Sequence, residues 1–166
     1  MKIGVKTFDS YDFLKRFEDK ADFFEVMAVE GKDYSFLNSF SLPVVIHAQH
    51  QSFGINQADK TKIAKNTSSI KFAMKIADQC GSKKIILHPG GIGNENCTEE
   101  QAISSIRDID DKRIIIENLM IREIKWLCAT PLETKKFLKK TEKGLCFDIN
   151  HTLETSISLN QDPFTM

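Results

Sequence analysis

Apolar runs recur along the chain at positions 3–5, 23–29, 44–46, 85–87, 114–116 and 145–147. Each is short, near-continuous and rich in β-branched or aromatic residues, as a parallel strand buried on both faces requires. Between them the period changes to that of a helix. Over 63–80, Ile70, Ala73, Met74 and Ala77 stand at i, i+3, i+4 and i+7, and Gly81 occupies the expected C-terminal cap. Thr98-Glu99-Glu100-Gln101 and Thr130-Pro131-Leu132-Glu133 read as capping boxes, the second with proline at the first helical position. Strand and helix therefore alternate through six βα units. Neither a hairpin signal nor a linker rich in Gly, Ser or Pro interrupts them, which predicts one α/β domain with a parallel sheet covered by helices, either an open doubly wound sheet or a barrel.

The strands end on a distinctive set of residues. Val44-Val45-Ile46 runs into His47, Ile85-Ile86-Leu87 into His88, Ile114-Ile115-Ile116 into Glu117 and Leu145-Cys146-Phe147 into Asp148. In parallel α/β folds the carboxyl ends of all strands open onto one face, where sites form. A polar residue at any single strand exit needs no function, because a strand leaving the core must meet water. As a set the four point elsewhere. Lysine, far commoner here than histidine, takes none of the exits, whereas two of only four histidines do. Neutral imidazoles and carboxylates are ligands of zinc and similar divalent ions, and a carboxylate between two ions can bridge them. Paired ions activate water and hold a phosphate or sugar oxygen. A Ser/His/Asp triad is the competing arrangement, but no nucleophile elbow is present.

Neighbouring residues suggest an outer shell. Gly90, Gly91 and Gly93 follow His88 in a sharply turning loop that permits close backbone approach and lacks the Gly-Lys-Ser/Thr of a P-loop. Asn118 is placed to fix a ligand by hydrogen bonding, or simply to turn the chain. Glu25 reaches the same face if its strand is in register, and His50 is expected on the solvent or substrate side.

Composition narrows the partners. Twenty-three Lys and Arg balance 23 Asp and Glu, so no global field attracts DNA or an anionic membrane. Cys80, Cys97, Cys128 and Cys146 form no CxxC pair, and no apolar run is long enough for a membrane helix. A soluble, cytoplasmic protein is expected.

The segments Ile46-His47-Ala48, His88-Pro89-Gly90, Glu117-Asn118 and Asp148-Ile149-Asn150-His151 resemble, in order and spacing, the xylose isomerase-like TIM barrels and within them the endonuclease IV branch. The resemblance implies that His47 and His88 bind a first ion, that Glu117 bridges it to a second, that Asp148 binds the second and that His151 binds a third or touches substrate. It further implies zinc, with manganese, magnesium or cobalt as alternatives. The implied reaction is cleavage of the phosphodiester at abasic sites in DNA by a metal-bridging hydroxide, with Glu117 and Asp148 as the catalytic carboxylates. The superfamily's sugar and sugar-phosphate isomerases and epimerases generally place one ion among four ligands, and an inactive barrel remnant is a third reading.

That family carries further ligands on strands seven and eight: a histidine, an Asp-x-His pair and a second bridging glutamate. The chain holds about six of eight units over 1–166 and is expected to stop inside the helix after the sixth strand, since a full barrel takes about 250 residues. Its open edges leave room for another chain, and so for a homo-oligomer. Gln49-His50-Gln51 also stands where endonuclease IV carries a tyrosine near the site.

Overall fold

The computed structural model describes residues 1–165. In chain order the elements are β1 (Gly4–Thr7), α1 (Tyr11–Lys15), β2 (Phe23–Ala28), β3 (Val44–Ala48), α2 (Ile63–Gln79), β4 (Ile85–Leu87), β5 (Gly91–Ile92), α3 (Glu99–Arg107), β6 (Ile114–Glu117), β7 (Lys125–Trp126), α4 (Pro131–Thr141), β8 (Gly144–Cys146) and α5 (Ile149–Leu159). Six strands form one sheet in the order β1-β2-β3-β4-β6-β8. The pairings β1 with β2, β2 with β3, β3 with β4 and β6 with β8 are parallel. This is the expected α/β architecture with six barrel strands. β5 and β7 add a small antiparallel sheet that the sequence did not announce, because its strands are too short for an alternating pattern and lie far apart in the chain.

By contact density the chain forms two compact units, Met1–Gln49 with Thr67–Ile86, and His50–Asn66 with the chain from Leu87 onward. In the first, Leu14, Phe24, Val26, Ile46, Ala73 and Ala77 are fully buried or nearly so. Strict alternation of strand and α-helix fails after β2, where only a 3₁₀ turn, Ser35–Ser39, intervenes before β3. Gly31 and Pro43 bracket a segment without helical periodicity, and Tyr34 ties it down: its hydroxyl donates to Met27 O at 2.6 Å and accepts Val29 N–H at 2.8 Å.

In the second unit the predicted caps form. Thr130 and Glu133 complete a reciprocal capping box at α4, with Pro131 at its start. At α3 only half of the predicted box appears. Thr98 Oγ1 accepts Gln101 N–H at 3.0 Å, whereas the Gln101 side chain donates to Ser105 Oγ instead. β8 departs further from expectation: Leu145 and Phe147 are exposed rather than buried. It is the end strand of the sheet, so its outer face lacks the neighbour that a buried parallel strand needs. Nor does the chain stop within the last helix. α5 ends at Leu159, with Asn160 in the left-handed conformation as its cap. Among the described residues no helix is long and apolar enough to cross a membrane.

Candidate metal centre

In the second unit, parallel register converts strand chemistry into a cluster. Glu117, the last residue of β6, is aligned with Cys146 of β8, and Asp148 lies two positions beyond Cys146. Side chains alternate along a strand, so this spacing favours the Glu117 face for Asp148. Asp148 is also the N-cap of α5, its Oδ1 accepting His151 N–H at 3.0 Å, which sets His151 in the first helical turn. One ligand atom from each of Glu117, Asp148 and His151 lies within 4.8 Å of the others.

Glu117 is buried and has one oxygen toward each of two histidines. Its Oε2 is 3.5 Å from His88 Nε2 and its Oε1 is 3.4 Å from His151 Nδ1. His151 Nδ1 is also 3.8 Å from Asp148 Oδ2. The two imidazole rings stand nearly perpendicular, 6.5 Å apart.

The histidine tautomers are set by their partners. A carbonyl oxygen only accepts, so a ring nitrogen in contact with one must carry the proton. His151 Nδ1–H donates to Asn118 O at 2.7 Å, and His88 Nδ1–H donates to Gln51 Oε1 at 3.1 Å. In the neutral rings the Nε2 atoms then carry the lone pairs. This is the outer-shell arrangement of metal-binding histidines. With its two carboxylates the set could hold a divalent ion.

In the first unit, His47 is the penultimate residue of β3, in register with Met27 and Ile86, and its Nδ1–H donates to Ala48 O at 2.7 Å. Glu25 forms an ion pair with Lys6, its register neighbour on β1, at 2.7 Å, and belongs to no group of metal-ligating side chains among the described residues. His50 stacks on His88, with centroids 4.9 Å apart and planes 18° from parallel. Its Nδ1 accepts Ser52 N–H at 3.4 Å, opening the turn Gln51–Phe53.

Gly90 and Gly91 serve the scaffold beside the cluster. Asn56 holds Gly91 at both ends, Nδ2 donating to Gly91 O at 2.9 Å and Oδ1 accepting Gly91 N–H at 3.0 Å. Gly90 has φ +99°, and a Cβ there would sit 2.3 Å from Asn56 Oδ1 and 3.0 Å from the Gln57 and Ala58 nitrogens. Gly90→Ala is therefore expected to cost at least the ~1–2 kcal/mol of a left-handed residue. At about 2–4 °C per kcal/mol for a chain of this size, a thermal melt should fall by several degrees; an unchanged melt would show that the loop relaxes. Asn56, which holds the His88 loop, had no signal in the sequence, since an amide in a polar loop resembles any turn residue; Gln51, which holds the His88 ring, stood only in the triplet that replaces the tyrosine of endonuclease IV.

The xylose isomerase-like TIM barrel family matches residues 13–164, and the chain belongs to that family. No functionally curated protein matches it by sequence. Among solved structures, endonuclease IV from Thermus thermophilus superposes with TM-score 0.76 at 15% identity, over 99% of this chain and 69% of that one. A D-tagatose 3-epimerase-like protein gives TM-score 0.73 at 20% identity, over 98% and 68%. The TTHB071 protein, also from Thermus thermophilus and soaked with ZnCl2, gives 0.65 at 15%, over 97% and 75%. Likeness at these identities establishes the fold.

Proposed function

We propose that the chain is a metal-dependent hydrolase of the endonuclease IV type, acting on the phosphodiester at abasic sites in DNA. One observation carries the reading: the buried Glu117 turns Oε2 to the unprotonated Nε2 of His88 and groups on its other side with Asp148 and His151, the disposition wanted of a carboxylate shared by two ions. Glu117 and His88 would hold one ion, and Asp148 and His151 the other side of the centre; the family resemblance adds His47 to the first. Bound divalent ions supply positive charge for phosphate oxygens and lower the pKa of water. The protein's own part is to present buried carboxylates, with each imidazole held in one tautomer by a carbonyl oxygen.

A second reading, a sugar or sugar-phosphate isomerase or epimerase, is favoured by the compactness of the Glu117, Asp148 and His151 group, which by itself can hold a single ion.

Protein purified without chelator should contain two or more zinc-like ions per chain by elemental analysis and should cleave a duplex carrying one abasic site. About one ion per chain, with epimerisation of a ketose and an intact duplex, would establish the second reading in place of the first. Metal-free protein inert toward both substrates, even after zinc is restored, would overturn both.

A further inference from the structure

The helix that carries His151 is attached to its unit in an unusual way. Ile149, Leu153 and Ile157, one stripe of α5 at intervals of four, are exposed at 72%, 46% and 70%, whereas the buried residues of the helix are Thr155 and Ser156. Hydrophobic burial therefore contributes little to holding α5 in place. Polar contacts to the segment after β6 do so instead. Ile121 N–H donates to Thr155 Oγ1 at 3.2 Å, and Arg122 pairs with Glu154 at 2.8 Å. At the ligand end one residue makes several of the contacts. Asn118 Nδ2 donates to Asp148 O at 3.0 Å and to Thr152 Oγ1 at 3.2 Å, and its Oδ1 accepts Asp148 N–H at 2.6 Å. The same residue's main-chain carbonyl accepts the proton of His151 Nδ1.

We propose that Asn118 is a positioning residue that sets Asp148 and His151 as one ligand unit: its amide grips both main-chain groups of Asp148, and its carbonyl fixes the tautomer of His151. The proposal rests on the metal-site reading above. The physical basis is that both ligands sit on the junction between β8 and α5, and a displacement of that junction moves them together. The amide supplies a two-point clamp where apolar packing supplies almost none. Asn118 is itself buried, so its polar atoms cannot exchange these partners for water without cost.

Zinc titration calorimetry and ¹⁵N NMR of the ring nitrogens in the metal-free protein test the proposal, with Thr155→Val as the control. That control removes a second polar clip from the same helix, one turn away from the ligands. Asn118→Ala leaves the main-chain carbonyl in place but frees the junction of β8 and α5. It is therefore expected to weaken zinc binding by the ~10–100-fold typical of an outer-shell partner and, by letting His151 drift from that carbonyl, to move it from one Nδ1-protonated tautomer to a mixture. Asn118→Asp keeps the acceptor for Asp148 N–H and loses the donor to Asp148 O. It should show the tautomer change in part, and it serves as the milder variant if the alanine form does not fold. Thr155→Val should lower the melting temperature while leaving zinc affinity and tautomer as in the parent. Retention of the parental tautomer in both Asn118 variants would overturn the proposal, as would an equal loss of zinc affinity in Thr155→Val. If the parent binds no zinc, the metal reading fails, and the tautomer comparison alone decides the role of Asn118.

Discussion

Glu117→Gln is expected to abolish tight zinc binding while leaving the metal-free protein at least as stable as the parent. Glu117 is 5% exposed, and a carboxylate at that depth carries a desolvation penalty that its surroundings must offset. Glutamine has nearly the same volume and can still accept a hydrogen bond, so it fills the position without the buried charge. It cannot serve two cations as a shared anion. The loss of affinity should therefore exceed the ~10–100-fold of an outer-shell change and should extend to every ion that Glu117 touches. Zinc titration and a thermal melt of the metal-free variant read the two effects separately. Stability retained with binding lost is the pattern of a residue kept for function at some expense to the fold. Parental zinc affinity in Glu117→Gln would remove Glu117 from the centre and with it the proposed shared carboxylate.

The strand ends that carry the candidate ligands were legible because strand exits are conspicuous. An apolar triplet followed at once by His or Glu marks both the end of burial and the face onto which the residue opens, so His88 and Glu117 could be placed from the chain alone. The helix starts at Thr98 and Thr130 were equally open to reading, since capping is local chemistry. What stayed hidden depended on neighbours. Leu145 and Phe147 have the composition of a buried strand, yet burial is decided by whether another strand or helix covers them, and β8 ends the sheet. The region after β2 offers no helical period, so the assumption of regular alternation failed there. Gln51 and Asn56 act through single hydrogen bonds across long sequence separations, a relation that periodicity does not encode. The glycines after His88 suggested a loop open to close approach, and the nearest atoms are those of Asn56 at Gly90 and of the Trp126 ring at Gly91.

Asp148 has two roles that can be separated. As N-cap it holds an extended conformation, φ −94° and ψ 114°, and accepts the His151 amide proton; as a candidate ligand it presents Oδ2 toward the His151 ring. Asparagine caps a helix about as well as aspartate, whereas alanine loses roughly 1 kcal/mol at that position. Asp148→Asn should therefore forfeit only the helix-dipole contribution of about 0.3–1 kcal/mol, and Asp148→Ala should melt lower still. Zinc binding should respond differently, because a neutral amide is a poor substitute for a carboxylate at a divalent ion. Both variants are expected to lose affinity by more than the ~10–100-fold of an outer-shell residue, despite their unequal stabilities. If Asp148→Asn bound zinc as the parent does while Asp148→Ala did not, the loss would track the cap. Asp148 would then be a helix start that orients His151, and the ion would rest on His88, Glu117 and His151 within this unit.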